Sequence, residues 1–246
     1  MVRHRTTVTL GLGVLGVALL APSAVSSALV PAGDTAAANH VQQAGTYVAL
    51  DGGDLTGPVR AHALVGPGSI GLGTFNGLDG EAVVVDGRLY RVTTAGTPVP
   101  VPRSVRTPFL QTVRFQPQAT ARVPRGTACA DLGVLVDRLA RTTRGVVAVR
   151  VEGRFSDLVT RSVPRQPDGT PLVQALTEQV VFPLGARRAT LVGFRSGPDV
   201  AGLTPTGVHL HGITANGARG GHVLSCVVSH ATLSVQRTAG VLVQTG

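Results

Sequence analysis

The chain has 246 residues, 43% of them hydrophobic and 14% charged, which excludes an intrinsically disordered protein and allows one large domain or two small ones. Aromatic residues make up only 3% and tryptophan is absent, so the core must come from Val, Leu, Ala and Gly, a mixture that favours sheet over helix. The net charge of +9 rests on arginine alone; twelve arginines lie between Arg103 and Arg165 at uneven spacing, with three phenylalanines among them and no recognition motif, which argues against nucleic acid and suits a small anionic partner.

Residues 1–28 read as a secretory signal: Arg3 and Arg5 at the start, a short apolar core from Val8 to Ala21, and small residues before a cut after Ala28. That core is too short and too glycine-rich for a good membrane span, so a secreted or cell-envelope protein with no membrane partner after cleavage is expected; a retained anchor is the alternative. Residues 29–45 read as a flexible tail, and Val59–Val65 as a short strand. The glycine-rich run from Gly66 to Gly80 is no phosphate loop, because no Gly-Lys-Ser/Thr follows and no helix opens after it. Asp86-Gly87, between Glu81–Val85 and Arg88–Val92, marks a hairpin. Residues 98–107 are proline-rich and extended, and Leu110–Phe115 is a strand.

A boundary near residues 117–126 separates an N-terminal domain, 29–125, from a C-terminal domain, 126–246. The second opens on a helix over Ala130–Arg141, where Leu132, Leu135, Val136 and Leu139 form one apolar stripe. Val146–Glu152 and Phe155–Val163 are strand-like. Thr170-Pro171 starts a short helix through about Gln179, with Thr170 as N-cap. Ala189–Phe194 and Ala231–Arg237 are further strands. Cys129 and Cys226, the only cysteines, form either a disulfide or two buried thiols. The whole is a strand-dominated α/β protein with two halves.

Three of the seven histidines lie in Gly207-Val208-His209-Leu210-His211-Gly212-Ile213 and Gly220-Gly221-His222-Val223. On a strand, His209 and His211 share a face. A turn centred on Asn216-Gly217 places His211 opposite His222, so all three imidazoles converge from one side of a hairpin. Three nitrogen ligands with the opposite side open is the arrangement of a catalytic zinc or another first-row divalent ion. The alternative is three ordinary sheet histidines.

Several runs resemble the alpha-acetolactate decarboxylases: Gly73-Thr74-Phe75-Asn76-Gly77-Leu78-Asp79-Gly80-Glu81, Thr107-Pro108-Phe109, the block from Gly153-Arg154-Phe155 to Arg161-Ser162-Val163-Pro164, Leu191-Val192-Gly193-Phe194, and the His-Leu-His and Gly-Gly-His pair. Their order is preserved over roughly residues 64–237. The resemblance implies a mixed β-sheet in the first half, an antiparallel barrel-like second half, a homodimer, and a Zn2+ ion held by His209, His211 and His222. It implies a carboxy-lyase that converts 2-acetolactate to acetoin and carbon dioxide. Glu81 and Arg161 are its catalytic candidates, and Thr74 and Leu78 its pocket residues. Three departures stand out. Gly212 replaces the family's phenylalanine, Leu172 replaces an aromatic residue after Pro171, and no acid follows Asp199 where the family has a further carboxylate. The competing expectations are a degenerate metal-binding member with little turnover, an exported β-rich binding module, and a cupin-like oxygenase. The last is weakened by the lack of a Glu at the required spacing after His-x-His.

Overall fold

The computed structural model describes residues 39–245, all within one compact unit; the proposed signal and most of the proposed tail lie outside these residues. In chain order the strands are β1 (His40–Ala44), β2 (Val59–Arg60), β3 (Ser69–Thr74), β4 (Glu81–Val85), β5 (Arg88–Val92), β6 (Pro98–Pro100), β7 (Arg106–Thr107), β8 (Leu110–Arg114), β9 (Ala119–Val123), β10 (Val146–Ser162), β11 (Val180–Pro183), β12 (Arg187–Ser196), β13 (Gly207–Thr214), β14 (Gly220–Arg237) and β15 (Gly240–Gln244). The α-helices are α1 (Tyr47–Asp51), α2 (Leu132–Ala140) and α3 (Leu172–Ala175). Among the described residues no helix is long and apolar enough to cross a membrane.

A mixed sheet runs in the order β15-β1-β8-β3-β4-β5-β6, antiparallel except for the parallel pair β1–β15. The expected Asp86-Gly87 hairpin forms, with Val85 opposite Arg88 and positive φ at both turn residues (52° and 78°), as a type I′ turn requires. Two expectations in this half need correction. Residues 40–44 are not tail but an inner strand, held between β8 and β15; the partners that order them are about 70 and 200 residues away, so no local pattern announces them. Val59–Val65 is a strand only at Val59–Arg60 and continues as a 3-10 turn over Ala61–Leu64. The glycine-rich run contains the wholly buried strand β3, where side chains on Gly71 and Gly73 would collide with the backbone of Gln111 in β8 and of Phe109 just before it.

The second sheet runs β11-β10-β12-β13-β14-β9, and β10 also pairs with β14, which closes a barrel through β10, β12, β13 and β14. The two strands expected across 146–163 are one, β10; the expected break at Gly153 is a register shift in its pairing with β14 near Arg154 and Phe155. Val149, Val151, Leu191, Leu210 and Leu233 fill the barrel, and α2 adds Leu132 and Val136. The short helix after Pro171 begins at Leu172 with no side-chain cap, and Thr170 is not its N-cap. Cys129 and Cys226 are disulfide-bonded, pinning the turn before α2 to β14. The outer wall of the barrel packs on the mixed sheet: Ala148, Val192 and Phe194 meet Ile70, Leu72 and Val83 in one apolar layer. The sheets also exchange strands. β9 joins the barrel sheet, and β15 returns to the mixed sheet.

Candidate metal centre

The register inferred for the histidine hairpin is the one observed: His211 lies opposite His222, Gly212 opposite Gly221 and Ile213 opposite Gly220. The loop is longer than two residues, since Thr214 N–H donates to Arg219 O and Gly217 N–H to Thr214 O, yet the register is unchanged. Because Leu210 points into the barrel, His209 and His211 point outward, toward the mixed sheet. Gly212 also faces inward, against Leu191 and Val223, so its departure from the family pattern lies away from the imidazoles.

The three rings meet. Nε2 of His209 is 3.1 Å, and Nε2 of His211 3.2 Å, from Nδ1 of His222. One nitrogen from each ring lies within 4.8 Å of the others. His211 Nδ1 donates to Ala82 O at 2.8 Å on the facing sheet, and a carbonyl can only accept. The neutral ring therefore carries its proton on Nδ1 and aims the Nε2 lone pair at the other histidines. Burial pushes all three rings toward the neutral form: His209 falls from 6.5 to about 3, chiefly by desolvation and then by the Arg161 charge, and His211 and His222 are also held well below the ordinary value. Nitrogens bound to one ion at about 2.0–2.1 Å stand about 2.9 Å apart at right angles and about 3.3 Å apart at the tetrahedral angle. The two observed separations fall between, so these residues fit a divalent first-row ion.

Glu81 and Arg161 enter the same site from opposite sheets. Glu81 opens β4 opposite Thr74, and Arg161 lies on β10 opposite His222. That second pairing depends on a bulge. Ser225 faces Val159, so β14 takes three steps to His222 while β10 takes two to Arg161, and the extra residue, Leu224, absorbs the mismatch. Arg161 donates to Glu81 Oε1 at 2.8 Å, and Glu81 Oε2 is 3.5 Å from His211 Nε2. Glu81 is only 5% exposed, and its carboxyl is raised above the ordinary value by burial, against the opposing pull of Arg161.

These groups line a cavity of about 340 Å³. Thr74 and Leu78, the two pocket residues expected from the sequence, line it too; the Thr74 hydroxyl donates to Gly80 O and so holds the turn before Glu81. Sequence reading missed the other wall. Tyr47 and Leu50 of α1, Leu172 and Leu176 of the turn beginning at α3, and Thr206 close the cavity from segments without a motif. Phe109 also lines it; the Thr-Pro-Phe run was the available signal.

The family model described as Alpha-acetolactate decarboxylase matches residues 41–245. The chain belongs to this family. The alpha-acetolactate decarboxylase of Methanosarcina mazei is 36% identical over 197 residues, covering 80% of this chain and 68% of that protein. The Bacillus subtilis enzyme of the same name is 30% identical over 200 residues, covering 81% and 78%. The crystal structure of alpha-acetolactate decarboxylase from Bacillus subtilis strain 168 superposes with a TM-score of 0.79 at 29% identity, over 84% of this chain and 88% of that one. Membership in a family of decarboxylases places this chain among the carboxy-lyases, on the strand-dominated fold with mixed and barrel-like sheets that the sequence led us to expect.

Proposed function

We propose that the protein decarboxylates 2-acetolactate to acetoin with zinc, or another first-row divalent ion, held by His209, His211 and His222. The observation that carries this reading is the convergence of three neutral imidazoles beside the buried Glu81–Arg161 pair in one cavity. When bound, the ion supplies a Lewis acid for the substrate's ketone and hydroxyl oxygens and for the negative charge that develops there as carbon dioxide leaves.

The chain's own residues do the rest. In the reaction one C–C bond breaks, its electron pair moves onto the former ketone oxygen, and the carbon that lost the carboxylate is then protonated. Glu81 is the proton carrier: burial raises its carboxyl above the ordinary value, which favours the protonated form that delivers a proton to this carbon, and solvent restores that proton afterwards. Arg161 keeps Glu81 in place through NH1 and favours an anionic substrate. Its NH1 is already engaged by Glu81 Oε1, which limits the bidentate pairing to the leaving carboxylate that would stabilise the ground state. Leu50, Leu78, Phe109 and Val163 make the walls apolar and restrict water.

Export and dimerisation belong to the same proposal. The Cys129–Cys226 disulfide favours an oxidising compartment, and the homodimer rests on the family resemblance. The test is to produce residues 29–246, measure bound metal, and assay acetoin release from racemic acetolactate. We expect about one ion per chain and acetoin. Metal without acetoin would favour a degenerate member of the family, and absence of metal would remove both readings.

A further inference from the structure

We infer that Tyr47 positions the carboxylate of the substrate, an inference that rests on the acetolactate reading above. Most of the polar groups lining the cavity are already engaged. The Thr74 hydroxyl is given to Gly80 O, Arg161 NH1 and Glu81 to each other, and the facing imidazole nitrogens to one another or to an ion. The Tyr47 phenol lines the same cavity with no hydrogen-bond partner among the described residues; burial and the Asp51 carboxylate hold it neutral, against the smaller opposing pull of the Arg161 guanidinium. A tyrosine hydroxyl on a cavity wall with no protein partner is a donor free to meet a ligand.

The side chain is also held still. The ring stands edge-on to Phe109, with centroids 6.4 Å apart and planes at 69°. Its backbone N–H donates to Leu203 O, and Thr46 caps α1 by accepting from Ala49 N–H. A rigid donor loses little entropy on binding.

The choice of the carboxylate follows from the chemistry. The substrate carries one anionic group, and that group must leave. A cationic partner would stabilise it in the ground state and oppose its departure. A neutral phenol orients the carboxylate with a single hydrogen bond and leaves its charge largely uncompensated. The ketone and hydroxyl oxygens are spoken for at the histidine side of the site. Tyr47 is thus a substrate-binding residue, set apart from the proton chemistry of Glu81.

The test compares zinc-loaded wild type with Tyr47→Phe by calorimetric binding of two inert ligands: 2,3-dihydroxy-2-methylbutanoate, which keeps the carboxylate, and butane-2,3-diol, which lacks it. We expect the variant to weaken the acid by about 3- to 10-fold, the worth of one hydrogen bond. The diol affinity and zinc content should not change. KM for acetolactate should rise by a similar factor, with kcat within about threefold. Equal weakening of acid and diol would reduce Tyr47 to a packing residue and overturn the inference. So would a fall in kcat at constant KM, which would place the phenol on the reacting carbon. A zinc-loaded wild type that binds neither ligand would instead overturn the acetolactate reading beneath it.

Discussion

The barrel and the mixed sheet contribute unlike halves of the site. The barrel supplies all three histidines from a single hairpin, within 14 residues of chain, and their convergence follows from the register of two adjacent strands. The mixed sheet supplies Glu81, Thr74 and Ala82 O, whose importance appears only when this sheet packs on the barrel's outer wall. The lesson is that the convergence of the three candidate metal ligands is locally encoded, whereas the environment that gives Glu81 its raised carboxyl is a property of the interface. The two halves should therefore fail in different ways.

The largest effect is expected on the barrel side. His211→Ala removes a ligand and the bond that anchors the metal hairpin to β4, so bound zinc should fall below one-tenth of an equivalent and acetoin formation by on the order of 10³-fold or more. Elemental analysis beside the acetoin assay checks both. The sheet-side counterpart is Glu81→Gln, which keeps shape and hydrogen bonding but cannot carry the proton. Here turnover should fall by on the order of 10²–10³-fold with zinc retained. Loss of metal in that variant would erase the distinction between the halves.

The disulfide sharpens the comparison further, because it fastens only the barrel. It closes a loop of 97 residues, for which the chain-entropy relation gives about 4.7 kcal/mol. The Cys129→Ser/Cys226→Ser double variant should lose roughly that much in urea denaturation. The folded fraction should keep its kcat within about twofold, since neither sulfur lines the cavity.

The least localised effect is on pH dependence, and the two halves have opposite signs. His209 binds protons in the unfolded chain below 6.5 but in the folded, metal-free protein only near 3. Stability contributed by its neutral ring is therefore complete above 6.5 and is lost as pH falls toward 3, at up to about 1.4 kcal/mol per pH unit. His211 and His222 act in the same direction. Glu81 opposes them: its folded carboxyl lies above 4.5, so its contribution is favourable below 4.5 and is lost as pH rises through the folded value. Thermal melts of metal-free protein should show falling stability on acidification below 6.5. With Glu81→Gln the fall should be steeper as pH approaches 4.5.

Legibility along the chain tracks the distance over which each contact forms. The Asp86-Gly87 hairpin and the pairing of His211 with His222 follow from turn chemistry and the two-residue period of a strand. Helix α2 follows from the Leu132, Val136 and Leu139 stripe. His40–Ala44 looks like tail because its partners, β8 and β15, lie far along the chain. The Leu224 bulge has no sequence mark either, yet it brings Arg161 opposite His222. Glu81 and Arg161 stood out from other charged residues only through the family's motifs.

What this sequence determined unaided is a rigid hairpin with three imidazoles on one face, because strand alternation and turn register are set by near neighbours. What only the tertiary structure decided is the company those imidazoles keep: the lone pairs steered by Ala82 O, the Glu81–Arg161 pair enclosed beside them, and the Tyr47 phenol brought over the cavity. Desolvation and proton affinity depend on every surface that excludes water, and those surfaces come from segments far apart in the chain.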